Sequence, residues 1–193
     1  MEHLRILSVF NILFYLANLL WLLEFMIFRN RKRTGKFQEK KSFWFLTISI
    51  LVVIVTTIYF SDQQLGKLSG TSIYPILQVV GLALQFLGLW LRYQGSIALG
   101  QNFTRHVAVS STMTLVSKGP YRYFRHPLYL GLFFITIAFP IFVGNLVAII
   151  IALPLLWIGF SWRMKVEEKA LSLLHPSYQD WLKSRYRFIP GVY

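Results

Sequence analysis

Of 193 residues, 55% are hydrophobic and only 14% charged, with a mean hydropathy of +0.54, which excludes an ordinary soluble domain and describes an integral membrane protein. The formal net charge of +13 is set between apolar runs, so anionic lipid headgroups rather than nucleic acid are the expected partner. Cysteine is absent, which excludes disulfides, thiolate metal sites and cysteine nucleophiles.

A helix crossing about 30 Å of hydrocarbon needs roughly 20 mostly apolar residues. Five runs meet or approach that length: Ile6–Phe28, Phe43–Phe60, Pro75–Leu99, Leu128–Val143 and Leu146–Trp162. The expected fold is an all-α membrane domain spanning residues 1–193, without a cleavable signal. The last two runs, joined only by Gly144-Asn145, should form a tight helical hairpin. Of the twenty Lys and Arg residues, all but Arg5 and Lys67 fall on one side of this arrangement. The positive-inside rule makes that side cytoplasmic, with the N-terminus outside and the C-terminus inside.

The first run carries Asn11 and Asn18 on one face with Tyr15 between them, a pattern suited to interhelical hydrogen bonding. Glu24, near its cytoplasmic end, is expected to pair with a base of the following loop. Along the third run, Gln78, Gly81, Gln85, Gly88, Arg92 and Gly95 repeat at intervals of three and four. Glycines on such a stripe admit a neighbouring helix closely, and the polar groups avoid lipid, so this helix should be central. Arg92 ends the stripe as either a snorkelling anchor or a charge pointing into a site.

Between the third and fourth runs lies Gly119-Pro120-Tyr121-Arg122-Tyr123-Phe124-Arg125-His126-Pro127-Leu128-Tyr129-Leu130-Gly131. Pro127 suits the first helical position and pushes His126 out of the helical region, which places His126 at the N-terminal end of the fourth helix. Free backbone N–H groups there favour an anion, and Arg122 and Arg125 add positive charge. Tyr121, Tyr123 and Tyr129 offer rings for a planar base or a cation. Alone, such a basic and aromatic border is also what a plain membrane anchor looks like. Past the fifth run come Arg163-Met164-Lys165-Val166-Glu167-Glu168, two of only seven acidic residues in the chain. An Arg163–Glu167 pair at i, i+4 would account for one of them. The tail holds Tyr178, Trp181, Arg185 and Arg187 and reads as an amphipathic helix lying on the membrane as a lid.

The arrangement Arg125-His126-Pro127-x-Tyr129-x-Gly131, followed by Glu167-Glu168, resembles the signature of the isoprenylcysteine carboxyl methyltransferase family and related membrane phospholipid methyltransferases. Leu99-Gly100-x-Asn102-Phe103 with His106, and Tyr178-x-x-Trp181 with Arg187-Phe188-Ile189-Pro190, extend the resemblance over roughly the last 95 residues. Residues 1–60 carry no such signal, so residues 75–193 form the expected cofactor-binding and catalytic core.

The resemblance implies S-adenosylmethionine held without a Rossmann fold, in keeping with the lack of a Gly-x-Gly-x-x-Gly pattern. It implies a cofactor site of Tyr121, Arg125, His126, Tyr129, Gly131, Glu167 and Glu168. It implies a catalytic set of Arg187, Glu168 and Asn102, and acceptor contacts from Arg92, Phe103, His106 and Arg185. No metal is expected. The acceptor is lipophilic, entering from the bilayer; an isoprenylcysteine-type carboxylate is favoured over a phospholipid amine. His175-Pro176 departs from the family's usual Phe-Gly, and Trp181 from a common Tyr. Membrane sterol and steroid reductases share an Arg-His-Pro-x-Tyr pattern and use reduced nicotinamide, but typically carry Asn where Leu128 stands; a non-enzymatic membrane protein is the remaining alternative. The membrane is a bacterial inner membrane or the endoplasmic reticulum.

Overall fold

A computed structural model describes residues 2–28, 37–100, 107–109, 115–174 and 177–188. In chain order they form α1 (Glu2–Ile27), β1 (Phe37–Glu39), α2 (Lys41–Asp62), α3 (Tyr74–Leu99), β2 (Val107–Val109), a 3-10 turn (Gly119–Arg122), α4 (Pro127–Val143), α5 (Leu146–Leu174) and α6 (Tyr178–Lys183). Helices α2, α3 and α5 are long and apolar enough to cross a membrane, and Val9–Glu24 and Pro127–Val143 are shorter apolar helical stretches. The protein is thus an essentially all-α integral membrane protein built on the five runs read from hydropathy. One small addition is an antiparallel β1–β2 pair that ties the first loop to the stretch after α3.

The stripe on α3 faces α4. A Cβ at Gly88 would lie 2.6 Å from the Gly131 carbonyl oxygen, and one at Gly131 would lie 2.7 Å from the Gly88 carbonyl. The two backbones therefore approach as only glycine allows. Further along the same crossing, Gly81 meets Phe142 and Gly95 meets Leu128. Helix α1 packs on α3, and α2 packs on α5 and α4. The α4–α5 hairpin turns at Gly144, which adopts φ +69. Asn145 locks that turn: its amide donates to the Leu65 carbonyl at 3.0 Å and its oxygen accepts from the Ala148 N–H at 2.9 Å.

Four expectations change. Glu24 does not rely on a loop base: its carboxylate is buried against α3 and accepts hydrogen bonds from Arg92, one of them at 2.6 Å. At low dielectric the partner one helix away outweighs a solvated loop cation. Asn18 bonds across to Gln85 at 3.4 Å, as an interhelical contact should, whereas Asn11 is exposed. Helix α5 continues past Trp162 to Leu174, because Met164, Ala170 and Leu171 keep an apolar face turned inward, so the Glu167-Glu168 pair sits on a helix. The tail is also more than a surface lid. α6 has only six residues, and Phe188 beyond it is fully buried against Phe133, Trp157 and Phe160.

Candidate active site

Pro127 at the first turn of α4 sets His126 as the N-cap residue with φ −129, and its ring is turned inward and buried. From α5, Glu168 Oε1 lies 3.1 Å from His126 Nε2, and Glu167 Oε2 lies 3.8 Å from His126 Nδ1. The imidazole is thus gripped between the adjacent glutamates, and stacks on the Tyr129 ring at 5.6 Å between centroids. Arg187 completes the cluster from the tail, with Nη2 at 2.8 Å from Glu168 Oε2 and Nε at 3.1 Å from Oε1, while Arg125 Nη1 lies 3.7 Å from Oε1. Three elements far apart in sequence converge on one carboxylate.

Behind this cluster the tail is sewn to the turn before α4. The Arg125 N–H donates to the Tyr186 carbonyl at 2.8 Å and Tyr186 N–H to the Tyr123 carbonyl at 3.0 Å, a short parallel bridge. Arg185 donates to the carbonyls of Tyr121 at 2.9 Å and Trp181 at 2.7 Å and to Ser117 Oγ at 3.0 Å. Its guanidinium stacks 4.4 Å from the Trp181 ring centroid.

A cavity of about 430 Å³ opens beside the cluster. Its polar end is walled by Tyr121, Arg125, His126, Tyr129, Glu167 and Tyr178. Burial pushes the Tyr121 and Tyr178 phenols well above their ordinary pKa, helped by the glutamates, so both stay protonated and able to donate. The Tyr178 hydroxyl and Glu167 Oε2 are buried with no hydrogen-bond partner among the described residues, so a donor and an acceptor stand at this wall awaiting one. At mid-length the wall carries two guanidinium groups, Arg92 and Arg163. Arg163 is 1% exposed and donates to the Tyr129 hydroxyl at 3.1 Å and Ser42 Oγ at 3.0 Å. Arg92 also donates to the Leu128 carbonyl at 3.3 Å. The far end is apolar, formed by Leu46, Ile50, Leu51 and Ile54 of α2, Trp21 of α1 and Leu132 of α4.

Of the residues singled out by sequence, Tyr121, Arg125, His126, Tyr129, Glu167 and Arg92 therefore meet at one cavity. Among the described residues Glu168 and Arg187 brace His126 from behind that wall, Gly131 serves the α3–α4 crossing, and Arg185 serves the tail. Asn102, Phe103 and His106 lie outside the described residues. Sequence reasoning missed Arg163, which it paired only with Glu167, and the whole contribution of α2. A signal existed for the arginine: Ala152, Leu156, Gly159 and Arg163 recur at four, three and four residues, and all are buried on the inward face.

Residues 80–173 match the isoprenylcysteine carboxyl methyltransferase (ICMT) family. The similar stretch covers just under half of the chain. It runs from α3 through α5 and so contains Arg92, the turn with His126, Arg163 and both glutamates. A protein-S-isoprenylcysteine O-methyltransferase of Schizosaccharomyces pombe is 32% identical over 123 residues, covering 62% of this chain and 52% of the relative. The protein of the same description from Homo sapiens is 32% identical over 118 residues, covering 60% and 41%. A solved structure of the eukaryotic intramembrane Ras methyltransferase ICMT superposes with a TM-score of 0.59 at 28% identity, over 76% of this chain and 52% of that one. The chain spans about half the length of the curated relatives it matches. Helices α1 and α2, with the tail beyond Leu174, lie outside the family stretch, yet they supply Trp21, Glu24, Ser42, Tyr178 and Arg187 to the site.

Proposed function

We propose that this chain is an integral membrane S-adenosylmethionine-dependent methyltransferase that esterifies the carboxylate of a lipophilic, isoprenylcysteine-type acceptor. The observation that carries the reading is the cavity that joins a polar end of rings and a carboxylate oxygen without a hydrogen-bond partner, through two guanidiniums, to an apolar end between membrane helices.

The polar end fits such a donor on its own chemistry. Glu167 Oε2 offers an unmatched acceptor for an ammonium or a ribose hydroxyl, the Tyr178 hydroxyl offers an unmatched donor, and Tyr121 and His126 offer faces for a purine. S-adenosylmethionine, when bound, supplies a methyl group already activated on a sulfonium. The chain then mainly has to position the acceptor. A carboxylate is ionised at pH 7 and needs no base, only a cation to aim it. Arg163, fixed by Tyr129 and Ser42, and Arg92, fixed by Glu24, are cations held in place before the acceptor arrives. An amine acceptor would need a base, and Glu168 is engaged by His126, Arg125 and Arg187, which favours the carboxylate. Arg187 in this account acts through Glu168. Asn102, Phe103 and His106, preceding the turn, are further acceptor contacts in the proposal. The distribution of Lys and Arg supports a site and C-terminus on the cytoplasmic side, against anionic headgroups, in a bacterial inner membrane or the endoplasmic reticulum.

Calorimetric titration of the purified protein with S-adenosylmethionine and, separately, NADPH tests the reading. Binding of S-adenosylmethionine that is lost in His126→Ala and Glu167→Ala supports it. Binding of NADPH alone would move the chain to a reductase, and binding of neither would leave the turn as a membrane anchor.

A further inference from the structure

A second cavity, of about 200 Å³, lies deeper in the bilayer region and shares Trp21, Ile50 and Ile54 with the first. These three residues line both chambers. Beyond them the wall is Phe14, Asn18, Ile135, Thr136 and Phe139, contributed by α1 and α4. Thr136 hides its polarity by donating to its own helix at the Leu132 carbonyl, 2.8 Å away, so the chamber presents mainly hydrocarbon to its contents. At its floor Phe14 stacks on Phe142 at 4.1 Å and on Phe139 at 6.3 Å between ring centroids, while Tyr15, also in the wall, is exposed. From Leu128 beside Arg92 to Phe139 at that floor, α4 advances eleven residues, about 16 Å at about 1.5 Å per residue. A cation-lined head continued by an apolar limb of that length suits a hydrocarbon tail.

We propose that this distal chamber, entered past Trp21, Ile50 and Ile54, receives the end of the acceptor's hydrocarbon chain and sets the chain length the protein prefers. The inference rests on the acceptor reading above. Helix α1 lies outside the residues matched to the family and α4 inside them, so the chamber joins this chain's own first helix to the matched segment.

The test compares kcat/KM for N-acetyl-S-geranyl-, S-farnesyl- and S-geranylgeranyl-L-cysteine with the full chain in nanodiscs. Thr136→Phe, which fills the chamber, should lower the ratio of geranylgeranyl to geranyl acceptor roughly tenfold, as loss of fit for a few methylenes does. Phe139→Ala, which deepens it, should raise that ratio. A geranylgeranylcysteine bearing a terminal diazirine should, in the unaltered protein, label Ile135, Phe139 or Phe14, and this readout needs neither turnover nor a variant that folds. Unmoved ratios in both variants, or labelling confined to α2, overturn the proposal. Labelling abolished by excess bilayer phospholipid with turnover unchanged would give the chamber to a resident lipid and overturn it too. Failure of the carboxyl-methylation reading shows differently, as no turnover with any of the three acceptors.

Discussion

Arg187 grips both carboxylate oxygens of Glu168, at 2.8 and 3.1 Å, and so ties the tail to the end of α5 at the point where His126 needs its partner. A doubly bonded guanidinium restrains the carboxylate in orientation as well as charge. Arg187→Ala should therefore weaken S-adenosylmethionine binding roughly tenfold, about 1.4 kcal/mol, by loosening Glu168 and with it His126. Glu168→Gln should produce a similar loss, and the double variant little more, which a calorimetric double-mutant cycle measures. Additive losses would show that the two residues act separately.

Arg163 is one of the two cations fixed at mid-length of the cavity. Arg163→Ala should reduce kcat/KM for a prenylcysteine acceptor by at least about 2 kcal/mol, roughly thirtyfold, with cofactor affinity little changed. Arg163→Lys should recover little of it, since an ammonium cannot reach Tyr129 and Ser42 together while facing the cavity. Steady-state kinetics beside cofactor titration separates the two effects; a lysine variant with full activity would count against the assignment.

The Glu24–Arg92 pair is buried on both sides, with side chains 2% and 9% exposed. Removing one partner leaves an uncompensated charge among helices, so Glu24→Leu should destabilise the protein by about 3 kcal/mol or more. The double variant Glu24→Leu with Arg92→Met should regain much of that stability yet remain poor with the acceptor. Thermal unfolding in detergent, followed by an activity assay on the survivors, distinguishes a positioning role from a purely structural one.

At the α3–α4 crossing a methyl group has nowhere to go. Gly88→Ala would drive its Cβ against the Gly131 carbonyl and the Ile135 side chain, so the helices must part. About 1–3 kcal/mol of lost stability is expected, and a displaced α4 carries Tyr129 and His126 with it. A variant as stable as the parent, by the same thermal measurement, would show that the crossing is looser than its distances indicate.

Much of this architecture was legible in the residues because the bilayer imposes a length and a polarity on each span. The five runs, the Gly144-Asn145 hairpin and the glycine stripe of α3 all follow from that. The convergence of His126 with Glu167 and Glu168 followed from a motif resemblance, since no local rule links positions some forty residues apart. What sequence could not supply was pairing across helices. Sequence alone matches Glu24 to a base of the following loop because its partner Arg92 sits far along the chain, and Arg163 looks like half of an i, i+4 pair until α2 brings Ser42 to it. In the sequence only its place directly before Phe188-Ile189-Pro190 favours Arg187 over Arg185; the fold separates them by giving Arg185 to backbone carbonyls and Arg187 to Glu168. The apolar residues of α2 and Trp21 gave no local sign of a cavity, because a lipid-facing and a groove-facing leucine look alike in composition.

The most direct test of the central claim is transfer of a labelled methyl group from S-adenosylmethionine to N-acetyl-S-farnesyl-L-cysteine by the purified protein, with the product then exposed to mild alkali. A carboxyl methyl ester releases its label as methanol, and this account predicts that release, lost in Arg163→Ala. Label retained through alkali would mean an N-methyl product and contradict the carboxylate assignment, and an absence of transfer alongside intact cofactor binding would contradict the acceptor class.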